Sequence, residues 1–158
     1  MAPEPYVYRE PTGFYFNRRG IGFLVGPSEF DAESTFNELT GKPKQELRKH
    51  IDYWLQGGKK DNWFHGFPNQ FDYKQCFTFK WHQLRQERRL YGLLCHPKPR
   101  TDPGFQLCVL IYYASKNEMG TDYSILDRVN ELRNHLRVTM AIGMNYKEYL
   151  GVESKWRN

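Results

Sequence analysis

Three strand-like segments that follow one another at short intervals constrain the fold of this chain most strongly. They lie at 74–82, 88–96 and 105–114, and only the polar turn "QLRQE" separates the first two. Connections this short favour antiparallel pairing, because parallel pairing requires a crossover of a dozen or more residues. The third segment is apolar on both alternating faces, which predicts a strand that is central or covered on both sides. Together the segments predict an antiparallel meander.

Helical patterns lie on both sides of this meander in the sequence. The stretch "PKQELRKHIDYWLQGG" (43–58) has apolar residues at helical spacing and a glycine pair at its end, and 121–138 has a similar apolar stripe. A short helix is expected after Asp31, and 13–27 reads as a hairpin. Residues 1–12, with three prolines, predict an extended arm before a single domain at 13–158. The predicted fold class is α+β: a small antiparallel sheet of three to four strands with helices packed on one face.

Charge and cysteine usage narrow the function classes. The 158 residues carry a formal net charge of +5, which favours an anionic partner such as nucleic acid or an acidic protein, although a merely basic protein has the same charge. The three cysteines are widely spaced without a CxxC pair, so neither a disulfide framework nor a zinc site is predicted. No signal-peptide core, membrane-length apolar run or nucleotide-binding motif occurs, so we expect a cytoplasmic protein without membrane contact, metal or small-molecule cofactor.

Cations alternate with aromatic residues in the first strand of the meander. Because residues i and i+2 of a strand share a face, Phe77, Phe79 and Trp81 form one row, and Lys80 and His82 belong to the other. The aromatic row is expected to face the helices, so the cations point to the open face of the sheet. In the next strand Arg89 and Tyr91 alternate with Arg88, so one arginine of the pair shares that open face.

Such a residue set has a chemical use besides solubility. RNA cleavage without metal needs a base for the 2′-OH, a proton donor for the leaving oxygen and cations for the charge that develops on phosphorus. We expect His82 as acid or base, with Lys80 and Arg89 neutralising charge and Tyr91 orienting the phosphate or stacking on a base. A cation-bearing face that is simply solvated is the common alternative. Further candidate RNA contacts are Arg85, Arg88, His96 and Lys116.

The region 44–138 resembles the RelE/ParE/HigB superfamily of toxin–antitoxin toxins, especially its phage-derived HigB-like branch. The similar stretches are the helix "KQELRKHIDYWLQGG", the glycine-containing "WFHGFPN", the arginine-bearing "ERRLYGLLC" and "FQLCVLIYYASKNEMGTDYSILDRVNELR". Two features depart from the pattern: the chain has an additional N-terminal arm and hairpin, and the usual double lysine after the central strand is only Lys116 here.

The resemblance implies a small basic toxin with a RelE-like fold that cleaves mRNA, often on the ribosome, and is neutralised by an acidic antitoxin. Members of the same superfamily that resemble ParE inhibit a topoisomerase by binding alone. The sequence therefore leaves two functions open: a metal-independent endoribonuclease, and a non-enzymatic inhibitor that binds a nucleic-acid-associated protein.

Overall fold

The computed structural model describes residues 6–11, 13–97, 101–115 and 121–144. Within these ranges the strands are β1 (Val7–Arg9), β2 (Tyr15–Phe16), β3 (Arg19–Val25), β4 (Phe64–Gly66), β5 (Cys76–Gln83), β6 (Gln86–Cys95) and β7 (Gln106–Ser115). The helices are α1 (Ala32–Glu38), α2 (Gly41–Leu55), α3 (Tyr123–Arg133) and α4 (Leu136–Gly143), with a short 3-10 helix at Phe71–Tyr73. All seven strands belong to one sheet in the order β1-β3-β7-β6-β5-β4, with β2 paired to β3.

The antiparallel meander is present as β5, β6 and β7 at the centre of this sheet. The sheet is nevertheless larger than the predicted three or four strands, and it is mixed. Strand β3 pairs in parallel with β7, from Arg19 opposite Gln106 to Phe23 opposite Leu110. The chain between β3 and β7 contains two helices and three strands, which is ample for the crossover that a parallel pair requires. The architecture is therefore α+β with a mixed, open sheet.

Helices cover both faces of the sheet, whereas the sequence predicted helices on one face. Helices α1 and α2 bury Phe36, Leu47 and Trp54 with the aromatic row of β5. Helices α3 and α4 bury Leu126 and Ile142 with the alternate residues of β6 and β7. The physical reason is that β7 is apolar on both of its faces, and each apolar face must be removed from water. The face expected to be open is thus partly covered.

Lys80 and Arg89 lie on the face of the sheet that α3 and α4 cover. Phe77, Phe79 and Trp81 are buried on the α2 side, as the alternation predicts. Lys80 pairs directly with Arg89, and cross-strand partners point to the same face of an antiparallel pair. The same register therefore fixes both cations opposite α2.

The ends of the elements differ from the predicted bounds in two instructive places. The N-terminal arm is in part a strand, because Val7–Arg9 pairs antiparallel with β3. The helix predicted over 121–138 is two helices, since Arg133 ends α3 and the His135 side chain accepts a hydrogen bond from the Arg137 backbone N–H at the start of α4. Of the described helices, none is long and apolar enough to cross a membrane.

Candidate functional site

Two cations lie side by side on adjacent strands at one end of the sheet. Lys80 of β5 is paired in register with Arg89 of β6, and their residues are only 9% and 7% exposed. Like charges directly opposite one another destabilise a strand pair, and buried cations lose hydration. Such a pair requires compensation from neighbouring groups or from a bound anion. The surroundings of the two side chains differ in this respect.

Arg89 is compensated within the fold. Its Nη2 lies 2.7 Å from the Glu87 carboxylate, and its Nε donates to the same oxygen at 2.8 Å. Its Nη1 donates to the Thr121 hydroxyl at 3.3 Å, next to the N-terminus of α3. The expected role of Arg89 in neutralising charge during cleavage stays a prediction, but this guanidinium already has a carboxylate partner.

Lys80 has weaker compensation. Its ammonium donates to the Asp61 backbone carbonyl at 3.2 Å. Within the part of the chain that the structure describes, no carboxylate oxygen lies within the 4.0 Å ion-pair distance of this ammonium. Burial lowers the pKa of Lys80, and the neighbouring Arg89 charge lowers it further. Cations whose pKa is shifted by burial and by a neighbouring charge are found at many binding and catalytic sites.

Tyr91 shares the face of Lys80 and Arg89 but is fully buried. Its hydroxyl accepts a hydrogen bond of 3.1 Å from the Asp122 backbone N–H, at the position that caps α3. Burial raises the pKa of this phenol. With no exposed ring face, Tyr91 anchors α3 to the sheet in this conformation and offers no surface on which a base could stack.

His82 lies at the end of β5 and is turned toward helix α2. Its Nδ1 lies 3.2 Å from the Glu46 carboxylate, and its backbone N–H donates to the same oxygen at 3.1 Å. The side chain is 62% exposed. His82, the catalytic histidine predicted from the sequence, is therefore accessible, but its ring is directed toward Glu46 of α2 rather than toward Lys80.

The other predicted RNA contacts do not gather at one place. Arg88 points to the α2 side, where its Nη1 donates to the Tyr113 hydroxyl at 2.7 Å. Arg85 is exposed in the turn between β5 and β6, with φ of +63°. His96 follows the opposite end of β6, where its Nδ1 lies 3.1 Å from the Phe105 carbonyl. Lys116 lies outside the described residues.

A basic cleft of about 800 Å³ opens beside Lys80. It is lined by Arg19, Trp54, Gly58, Lys59, Lys60, Asp61, Phe64, His65, Gly66, Pro68, Asn69, Phe77, Lys80, Leu94 and Gln106. Four of these side chains are cationic and one is a carboxylate, so the lining attracts anions. The aromatic rings of Trp54 and Phe64 are buried, so they offer little surface to a ligand. We refer to this surface as the basic cleft.

His65 lines the basic cleft and is not among the site residues predicted from the sequence. It lies in β4 opposite Thr78, so it is on the same face as Lys80. Burial lowers the pKa of His65, the hydrogen bond to the Gly66 carbonyl opposes this, and the nearby Lys80 and Arg89 charges lower it again. The signal in the sequence was weak, because a three-residue strand inside a loop rich in glycine and proline shows no clear alternation.

The described residues include no group of three or more His, Cys, Asp or Glu side chains placed to hold a metal ion. No family model, curated protein or solved structure matches the chain. The similarity to RelE/ParE/HigB toxins therefore stays a prediction from the sequence.

Proposed function

We propose that this protein binds RNA in the basic cleft and cleaves it without a metal ion, as a cytoplasmic toxin of the RelE/ParE/HigB kind. The observation that carries the proposal is the buried pair Lys80 and Arg89, of which only Arg89 has a carboxylate partner. Burying a cation that has no carboxylate partner costs stability, and a phosphate bound beside Lys80 would offset that cost.

The basic cleft extends this single contact into a path for a polyanion. Lys59 and Lys60 are exposed at its rim, and Arg19 lies further inside over the Trp54 ring, 4.7 Å from its centroid. Contacts from such side chains go to phosphate and carry no sequence information directly. We therefore expect binding along the RNA backbone, with a strong dependence on salt.

Cleavage at this site would place Lys80 beside the scissile phosphate. Its charge would stabilise the negative charge that builds on the phosphate oxygens in the transition state. A histidine that takes the proton of the 2′-OH completes the minimal set for transesterification. The partners that accompany this proposal are RNA, in free form or on the ribosome, and an acidic antitoxin that complements the basic cleft.

The test compares wild type with Lys80→Gln on single-stranded RNA, both free and as mRNA in a translating extract, in the presence of EDTA. Gln keeps a hydrogen-bond donor toward the Asp61 carbonyl but removes the charge. We expect the cleavage rate to fall by about 10²-fold or more, while the thermal midpoint stays equal or rises because a buried charge is removed. Lys74→Gln, outside the basic cleft, serves as the control and is expected to cleave like wild type.

Two results would overturn the proposal that the protein is a ribonuclease. One is a wild-type protein that cleaves neither free nor ribosome-bound RNA. The other is a Lys80→Gln variant that cleaves normally and is destabilised, because a structural lysine behaves in that way.

A non-enzymatic inhibitor is the second candidate, and one observation favours it. Arg89 and Tyr91, two of the four predicted catalytic residues, are engaged inside the fold by Glu87 and by the backbone of Asp122. In that case the basic cleft would hold an acidic surface of a protein target. Growth arrest on expression, without any cut RNA, would favour this function.

A further inference from the structure

His65 and Lys80 face the same space from neighbouring strands. The register of β4 and β5 sets His65 opposite Thr78, two residues before Lys80, and side chains at these positions point to one face. Both residues line the basic cleft. The edge strand β4 thus brings a histidine next to the least compensated buried cation of the described sheet.

The His65 ring is held in a defined orientation. Its Nδ1 lies 2.9 Å from the Gly66 carbonyl oxygen, and its ring meets Phe67 edge-on at 5.0 Å between centroids. A carbonyl only accepts hydrogen bonds, so Nδ1 carries the hydrogen and donates it. The neutral ring therefore keeps its lone pair on Nε2, the nitrogen that could accept a proton from a ligand.

The other two histidines near β5 are less suited to this role. His82 binds Glu46 through Nδ1 and does not line the basic cleft. His50 is buried between α2 and the sheet, where its Nδ1 donates to the Lys80 backbone carbonyl at 2.6 Å and its ring stacks on Trp63. The histidine that shares both the face and the cleft of Lys80 is His65.

We infer that His65, rather than His82, is the histidine that accepts the 2′-OH proton in the basic cleft. This inference rests on the proposed ribonuclease function. The charged groups facing His65 are Lys80 on β5, Arg89 on β6 and Asp61 in the loop before β4. The two cations and the burial favour a neutral imidazole at neutral pH, which is the form that a general base requires.

The proposed step balances without a co-reactant. Nε2 of His65 takes the proton of the 2′-OH, and the 2′-oxygen forms a bond to phosphorus while the bond from phosphorus to the 5′-oxygen breaks. The leaving 5′-oxygen takes a proton from the Lys80 ammonium, and the proton held by His65 then returns to Lys80 through solvent. The products are a 2′,3′-cyclic phosphate and a 5′-hydroxyl.

The test compares the variants His65→Asn and His82→Asn on a labelled pool of single-stranded RNA, free and in a translating extract. Asn can keep a donor in the place of Nδ1, toward the Gly66 carbonyl, but has no counterpart of Nε2. We expect His65→Asn to lower the cleavage rate by about 10²–10⁴-fold, the usual contribution of one acid–base group. His82→Asn should retain activity within about threefold, a loss well below that contribution.

If His65 transfers a proton, we expect two further results that a purely structural role of His65 would not produce. Added imidazole should restore part of the activity of His65→Ala. The acid limb of the wild-type rate profile should lie below about pH 6.5, the ordinary histidine value, and should be absent in the residual activity of His65→Asn. Thermal unfolding of each variant checks that the fold is intact.

The outcomes separate this inference from the proposed function. A wild-type protein without any cleavage would overturn both. Cleavage by wild type together with normal activity of His65→Asn, or with equal losses in the two variants, would overturn the assignment of His65 and leave the ribonuclease standing.

Discussion

At the scale of single residues, two histidines lie in surroundings that oppose their charged form. His50 is buried, and burial lowers its pKa against the smaller opposing effects of the Lys80 carbonyl and Glu46, while Lys49 and His82 lower it further. Burial likewise lowers the pKa of His65. A histidine whose pKa is lowered in the folded state binds fewer protons than it does in the unfolded chain. Its neutral form is therefore favoured by folding.

The difference in histidine pKa between the folded and unfolded states predicts that acid destabilises the protein in a defined pH range. Well above about pH 6.5 these histidines are neutral in both the folded and the unfolded state, so they do not reduce the stability of the protein. As the pH falls below that value, the histidines of the unfolded chain take up protons first, and the protein loses stability. The slope is at most about 1.4 kcal/mol per pH unit for each histidine. Urea unfolding at pH 7.5 and 5.5 measures the change. We expect the change to be smaller in His50→Gln than in wild type, and an equal change in both would contradict the role of His50.

The candidate site was predictable only as far as residues alternate along a strand. Alternation in 77–82 was enough to place Lys80 opposite the aromatic row, but alternation in 88–93 left open which arginine of the pair shares its face, and the strand register decides this in favour of Arg89. The partners of these side chains come from distant segments, as with Glu46, which holds the His82 ring from 36 residues away. Sequence spacing contains no information about such tertiary contacts. For this reason the predicted catalytic histidine and the histidine of the basic cleft are different residues.

At the scale of elements, an irregularity between β6 and β7 fixes how the two strands fit. The register shifts between Tyr91, which faces Tyr112, and Gly92, which faces Leu110, so that Ile111 is the extra residue. As a result Ile111 and Tyr112 both enter the core under α3 and α4. A Cβ at Gly92 would lie 2.1 Å from the Val109 carbonyl oxygen, so only glycine fits this close approach of two backbones.

Gly92→Ala is therefore expected to destabilise the protein by about 3 kcal/mol, the upper part of the usual range for overpacking, because backbone atoms must move. Gly66→Ala is the matched control. It also lies in a strand, but its Cβ would meet its nearest neighbour at 3.4 Å and should cost much less. Chemical denaturation of the two variants measures the difference. Equal stability would show that the strands separate at Gly92 without cost.

The elements themselves were largely visible in the sequence, whereas their arrangement was not. The helix α2 ends close to the glycine pair that predicts its end, with Gly57 at φ of +92°. The three meander strands begin and end within two residues of the predicted bounds. Local pattern could not indicate the parallel pairing of β3 with β7, since that pairing joins residues that are 87 positions apart in the sequence, such as Arg19 and Gln106. The covering of both faces follows from the two apolar faces of β7, each of which packs against its own pair of helices.

At the scale of the whole molecule, the protein has a net charge of +5, and its cations differ in whether a carboxylate neutralises them. Several cations already have carboxylate partners: Arg9 binds Glu33 and Arg18 binds Asp102 at the surface, and Arg89 binds Glu87 in a largely buried pair. The basic cleft, by contrast, has four cations and one carboxylate in its lining. The lining of the basic cleft should therefore attract an anionic ligand that approaches the protein.

Salt dependence tests whether the basic cleft, rather than total charge, binds RNA. Removing both rim cations in Lys59→Gln/Lys60→Gln should weaken binding of single-stranded RNA and reduce the slope of log K against log salt by about 1.4, since each lost phosphate contact on a single strand contributes about 0.7. The control Lys74→Gln/Arg137→Gln removes the same charge from exposed positions outside the cleft. We expect its slope to equal that of wild type in fluorescence anisotropy at several salt concentrations. Equal slopes in the two double variants would contradict the cleft as the binding surface, because general attraction to a basic protein responds to net charge alone.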